Sequence, residues 1–176
     1  MTEPLPRLEG ARVTLRPQEE RDLDPLTAIV TSEGVCEWWG PETSLDATRE
    51  DLRNDGVAFT IEVGGAIAGW LGVSEDLTPN YRSAGMDIFV APEFQGSGYG
   101  PEALRLAARW LVDERGHHRL TIDPAAANER AIGVYASLGF KPVGIMRGYE
   151  RGRDGSFHDG LLMDLLAQEL TRRRTA

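Results

Sequence analysis

The chain is 176 residues long, 41% hydrophobic, with a formal net charge of −9. That length fits one domain over residues 1–176 with a core of its own, and no apolar run nears the roughly 18 residues that would suggest a membrane span. The acidic balance argues against a nucleic-acid partner, because phosphate backbones call for clustered Lys and Arg. The one basic run, Arg172-Arg173-Arg174, reads as a solvated tail.

The opening Met1-Thr2-Glu3-Pro4-Leu5-Pro6 lacks the basic and apolar regions of a signal peptide, so the expected location is cytoplasmic. Residues 1–10 read as a loose lead-in. Arg12–Arg16 alternates polar and apolar, as a first strand does. Leu23, Leu26, Ile29 and Val30 recur at helical spacing behind a cap at Asp24-Pro25. The single cysteine, Cys36, has no internal disulfide partner and reads as a small packed side chain. A second helix is expected over 44–54, stopped by Gly56. Val57–Val63 and Ala66–Ser74 form a hairpin about Gly64-Gly65, and a loop covers 75–83. The next strand is Ser83–Val90.

A helix from Pro101 to Glu114 follows, with Leu104, Ala107, Ala108, Leu111 and Val112 on one stripe. His117 and His118 read as a polar turn, with no second ligand cluster to suggest a metal. Leu120–Ile122 is a short strand. Asn128 caps a helix that Gly139 ends, with Ile132, Tyr135 and Leu138 on one face. Strands near Val143–Arg147 and His158–Leu166 finish the chain, and His158 is a candidate to face a cleft.

Between the strand Ser83–Val90 and the helix at Pro101 lies Gln95-Gly96-Ser97-Gly98-Tyr99-Gly100. Three alternate glycines let backbone approach a ligand closely, and the helix behind them offers unpaired N–H groups and the positive end of its dipole. Together these suit a phosphate or pyrophosphate; a plain tight turn is the alternative. Two common phosphate loops fit poorly. A P-loop ends in Lys then Ser or Thr, whereas Gly100 precedes Pro101. A dinucleotide fingerprint needs Gly-x-Gly-x-x-Gly, whereas the glycines here are Gly96, Gly98 and Gly100.

The pattern Gln95-x-x-Gly98-x-Gly100 resembles the acetyl-coenzyme A loop of the GNAT N-acetyltransferases. Asn128-Glu129-Arg130-Ala131-Ile132-Gly133-Val134-Tyr135 and Leu138-Gly139-Phe140 resemble that family's second cofactor segment. The resemblance spans roughly residues 11–166. It implies an α/β GNAT fold, a mixed and mostly antiparallel sheet of about seven strands flanked by about four helices. It also implies acetyl-CoA as co-substrate and leaves a homodimer open.

Acetyl transfer to an amine needs a held donor, a deprotonated amine, a donor for the oxyanion, and stabilisation of the departing thiolate. No covalent intermediate is required when both substrates bind together. The amides of Gln95, Gly96, Ser97, Gly98, Tyr99 and Gly100 would hold the pyrophosphate. By resemblance, backbone groups of Phe89 and Val90 would pair with the pantetheine arm, with the Val90 amide facing the oxyanion. Resemblance also sets Asn128 and Ala131 beside that arm, although Asn128 reads equally as a helix cap. Tyr135, a phenol neutral at pH 7, is the acid candidate; its alternative is core packing. Asp87 interrupts an apolar strand and shares a face with Phe89 and Ala91. A carboxylate there is either paired or functional, and burial would raise its pKa into a useful range for a base.

A narrower resemblance runs through Glu37-Trp38-Trp39-Gly40, Gly85-Met86-Asp87 and Asp123-Pro124, to the aminoglycoside 6′-N-acetyltransferases. It implies a cationic amine acceptor, with Glu37, Trp38, Trp39 and Asp87 as binding residues. The paired tryptophans read equally as core or lid packing. Lys141–Met163 reads more like GNAT enzymes that act on peptide N-termini or small amines. A non-catalytic coenzyme A-binding module is the remaining alternative.

Overall fold

The computed structural model describes residues 4–39, 45–53 and 56–172. Eight strands form one sheet: β1 (Leu8–Glu9), β2 (Val13–Pro17), β3 (Val57–Val63), β4 (Ala66–Asp76), β5 (Ser83–Val90), β6 (Arg119–Ile122), β7 (Lys141–Arg151) and β8 (Phe157–Leu166). Their order is β1-β2-β3-β4-β5-β6-β8-β7, and only β5 and β6 pair in parallel. The helices are α1 (Leu23–Val30), α2 (Leu45–Arg53), α3 (Tyr99–Asp113), α4 (Glu129–Leu138) and α5 (Ala167–Arg172). This is the α/β GNAT architecture expected, with one strand and one helix more than the sequence indicated.

Strand alternation splits the core between two faces. Phe59 and Ile61 of β3 pack with Leu104, Ala107 and Leu111 of α3, while Ala58 and Trp70 join Leu23, Leu26 and Leu52 of α1 and α2. Gly64 and Gly65 take φ of 58° and 81°, the left-handed geometry of a two-residue hairpin turn, and pair Val63 with Ala66.

The ends of several elements differ from their sequence bounds. The lead-in adds β1 to the sheet edge. The β4–β5 ladder runs on to Asp76↔Ser83, so the expected loop starts later. β7 is twice the expected length because its glycines are absorbed: the ladder shifts register between Met146 and Glu150, around Gly148 (φ 53°), whose N–H donates to Asp159 Oδ1 at 2.8 Å. The ends expected for the second helix, residues 44 and 54, lie outside the described residues.

A buried ion network was not legible in the sequence. Arg16 on β2 makes a bidentate pair with Asp22 at 2.6 and 2.8 Å and a third bond to Glu62 at 2.7 Å, and Thr60 donates to Asp22. It ties the turn before α1 to the sheet, and removing one partner of such a buried pair typically costs about 3–5 kcal/mol.

Candidate active site

The site begins where two parallel strands part. β5 pairs with β6 only at Ala84↔Leu120 and Gly85↔Thr121. After Ile122 the chain follows β8 instead: the Leu161 N–H donates to the Pro124 C=O at 2.9 Å, and the Ala126 N–H to the Asp159 C=O at 2.8 Å. A wedge opens beside β5 from Met86 onward.

Alternation decides which backbone groups face that wedge. The Ala91 N–H donates to the Ala68 C=O at 2.8 Å, toward β4. The groups of Phe89 therefore also point to β4, and those of Ile88 and Val90 point into the wedge. The expectation that Phe89 offers backbone to a ligand is corrected: the backbone groups that face the wedge are those of Ile88 and Val90. The Phe89 ring stacks on Trp70 (centroids 5.7 Å) and meets Trp39 edge-on.

At the end of β5 a turn over Pro92–Phe94 leads into the glycine loop. Gly96 and Gly98 have φ of 78° and 84°, and Gly98 caps α3, which starts at Tyr99 rather than Pro101. The helix begins inside the glycine motif, so its first free amides belong to the loop. The Gln95 side chain donates to the Val90 C=O at 2.9 Å and accepts from Arg130 at 3.3 Å, joining β5 to α4.

A cavity of about 390 Å³ runs along this wedge. Of the residues expected to hold the donor, Phe89, Val90, Gln95, Gly96, Gly98, Tyr99 and Gly100 line it from one side. Asn128, Ala131 and Tyr135 line it from α4. Ser97 does not; its carbonyl accepts from Arg12 at 2.8 Å. The Asn128 Oδ1 accepts from the Ala131 N–H at 3.1 Å, so the cap is real and leaves the amide nitrogen for a ligand.

A second cleft of about 480 Å³ adjoins the first and shares Trp38, Trp39, Ile88, Asn128, Ala131 and Tyr135 with it. Its walls bring together Asp87, Asp123 and Glu150 with Tyr135 and Tyr149. The Asp87 side chain has no hydrogen bond or ion pair among the described residues, so the paired-acid alternative does not apply. Its carboxylate stays open to solvent at the cleft floor. Surrounding protein desolvates it, and with the charges of Asp123 and Glu150 raises its pKa to about 6. The same cause, desolvation first, raises Glu150 above the ordinary carboxylate range.

Desolvation, then the charges of Asp87 and Asp123, push Tyr135 up to about 12. Its ring also packs against the core near Phe140, so packing and cavity lining coexist. Tyr149 donates to Asp123 at 2.5 Å, and that bond is the main cause of its own rise to about 12.

The tryptophans divide their work. Trp39 packs edge-on against Trp70 and Phe89, while Trp38 is 38% exposed at the junction of the two cavities. Glu37 does not reach Asp87. It lines a neighbouring cavity with Arg153, Asp154 and His158, and Gly40 lies outside the described residues. His158 pairs with Asp154 at 2.9 Å and lines that neighbouring cavity rather than the Asp87 cleft. Cys36 is buried with its sulfur accepting from Arg153, and His117 is buried against Glu75.

Residues 12–141 match the family described as an acetyltransferase (GNAT) domain. The spermidine N(1)-acetyltransferase of Escherichia coli is 28% identical over 139 residues, covering 75% of this chain and 74% of that protein. The aminoglycoside N(6′)-acetyltransferase type 1 of Klebsiella pneumoniae is 28% identical over 155 residues, covering 75% of each. The solved structure of spermidine N-acetyltransferase from Vibrio cholerae, in complex with CoA and spermine, superposes with a TM-score of 0.79. It has 22% identity and covers 92% of this chain and 99% of that one.

Proposed function

This chain belongs to the GNAT acetyltransferase family, and on that premise we propose that it acetylates a primary amine of a polycationic small molecule. GNAT acetyltransferases take the acetyl group from acetyl-CoA, so that is its donor. One observation carries the choice of acceptor: three carboxylates, Asp87, Asp123 and Glu150, converge on a cleft that adjoins the donor cavity at Tyr135.

Acetyl-CoA supplies a thioester carbonyl open to amine attack. The amides of Gly96, Gly98, Tyr99 and Gly100 hold its phosphates, the Gln95 N–H being given instead to the Pro92 C=O at 3.2 Å, and the wedge-facing backbone of Ile88 and Val90 receives its arm. The Val90 N–H stabilises the negative charge that develops on the carbonyl oxygen. Asp87, ionised at pH 7, orients the acceptor ammonium and accepts a proton as nitrogen attacks. A carboxylate near 6 cannot fully deprotonate a resting ammonium near 10.4 at low cost, so orientation and transfer in step with attack are its work. Tyr135 stays protonated at every physiological pH. A phenol near 12 gives a hydrogen bond, not its proton, to a leaving thiolate whose conjugate acid lies near 8.5, and so stabilises the departing sulfur.

Asp123 and Glu150 attract the acceptor's further ammonium groups. An aminoglycoside 6′-amine is the acceptor suggested by Trp38-Trp39 and Asp87; a polyamine offers the same spaced cations. Peptide N-termini present one cation and would leave these acids unused, and a non-catalytic module would leave Asp87 and Tyr135 without a task. Within this reading the whole chain is one domain acting in the cytoplasm, where acetyl-CoA is at hand.

Thiol release from acetyl-CoA, followed with kanamycin, tobramycin, spermidine, spermine and a free-N-terminus peptide, tests the proposal. Turnover is expected with at least one polycation. The KM for that amine should climb between low and about 0.15 M salt, where screening acts beyond roughly 8 Å. Turnover of the peptide alone rejects the polycation, and none with any amine favours the non-catalytic module.

A further inference from the structure

We infer that Arg12 is a positioning residue for the donor, holding the glycine loop in its phosphate-binding shape; this rests on Gln95–Gly100 being the pyrophosphate cradle. Arg12 lies just before β2, 85 positions from Ser97 in sequence. Its side chain reaches three points of the loop and the helix behind it. Nη1 donates to the Ser97 C=O at 2.8 Å, Nε donates to Glu102 Oε2 at 3.1 Å, and the guanidinium carbon sits 5.0 Å from the Tyr99 ring centre. The backbone N–H groups of Arg12 and Val13 also donate to Glu102 Oε1, at 2.7 and 3.2 Å.

This grip answers two difficulties of the loop. Gly96 and Gly98, both at positive φ, remove side-chain restraint, so the bound shape competes with many others. A loop in its competent shape only part of the time binds its ligand more weakly by that fraction. Arg12 fixes the loop at Ser97 and Tyr99. The second difficulty is Glu102, a carboxylate in the first turn of α3, where an incoming phosphate also needs to sit. Arg12 neutralises it and, with the two backbone amides, draws it toward β2. The fork geometry of arginine permits both contacts at once, which a lysine ammonium cannot match.

Arg12→Ala should be assayed with acetyl-CoA and with S-acetylpantetheine, which keeps the thioester arm and lacks the phosphates. Kd for CoA and KM for acetyl-CoA are expected to rise about tenfold, the scale of one charge-assisted hydrogen bond. The kcat at saturating acetyl-CoA, the KM for the amine, and kcat/KM with S-acetylpantetheine should stay within about twofold. Arg12→Lys keeps the charge without the fork; it should lose CoA affinity in the same direction, and it serves if Arg12→Ala does not fold. Equal losses with both donors would mark a general loosening and overturn the assignment. So would unchanged CoA affinity, or full affinity in Arg12→Lys. If Gly98→Val abolishes CoA binding while Arg12→Ala leaves it intact, only the role of Arg12 falls; if neither matters, the cradle itself is misplaced.

Discussion

The two sides of the cleft are built from different materials. The proposed donor side is backbone: the free edge of β5, the amides of a glycine loop, and the start of α3, all set by strand pairing and positive φ. The proposed acceptor side is side chain: Asp87, Asp123, Tyr149 and Glu150, drawn from three segments and coupled through charge and one short hydrogen bond. A backbone site tolerates most changes of side chain but fails when its φ angles are denied. A side-chain site changes with each residue and with pH. One side therefore suits a constant ligand, and the other can be retuned for different amines.

The sharpest way to break this contrast is to deny the loop its backbone angle. Gly98 has φ 84°, and a Cβ there would lie 3.1 Å from Arg12 Nη2. Gly98→Val asks a β-branched residue to hold a left-handed conformation, at about 1–2 kcal/mol or more, in a loop that can instead relax. CoA should raise the melting temperature of the natural protein, NAD should not, and the variant should lose CoA protection entirely while keeping its circular dichroism. Protection of the variant equal to that of the natural protein would mean the phosphates sit elsewhere.

The difference between the two sides also explains what could be read from sequence. The loop, the Asn128 cap and the helix that carries Tyr135 each sit in one short stretch where local chemistry names the element, so glycine spacing and helix periodicity located them, and the resemblance supplied their expected roles. The partners of Asp87 could not be found that way. Asp123 follows β6, whereas Tyr149 and Glu150 lie on β7, and they meet because β8 inserts between those strands and draws residues 123–126 away from β5. Arg12 was missed for the same reason. Phe89 was assigned to the ligand by resemblance; alternation in the sequence gives only side-chain faces, and the direction of its N–H needed the Ala91–Ala68 bond. Glu37 came with the Glu37-Trp38-Trp39-Gly40 resemblance, but of the pair at 37–38 only Trp38 reaches the Asp87 cleft, while both line the neighbouring cavity.

Tyr135 stands at the boundary, lining both cavities, and its removal gives the next largest effect. Tyr135→Phe keeps the ring against Phe140 and deletes only the hydroxyl. Loss of one such donor typically lowers kcat about 10²–10³-fold, and the KM for acetyl-CoA should barely move. A variant within about threefold of the natural kcat would assign the ring to packing alone.

The smallest expected effect is the one that isolates the acceptor side. Asp87→Asn should leave CoA binding unchanged and lower kcat/KM for the amine at pH 7 by about 10–100-fold, the worth of a hydrogen bond to a charged group. The activity of the natural protein should rise with pH through about 6 as Asp87 ionises. The variant should lack that limb, so the two profiles converge below it. Stability must then move in a definite direction. A carboxyl raised from 3.8 to about 6 in the folded state binds its proton more tightly folded than unfolded. Its contribution therefore favours folding below about 4 and is withdrawn as pH climbs to about 6. Asp87→Asn should accordingly melt higher than the natural protein at pH 7–8, with the gain shrinking toward pH 4; solvent at the cleft mouth keeps it modest. A variant that melts lower at pH 8, or whose pH profile keeps the limb near 6, would show that Asp87 is structural and that another group titrates in the cleft.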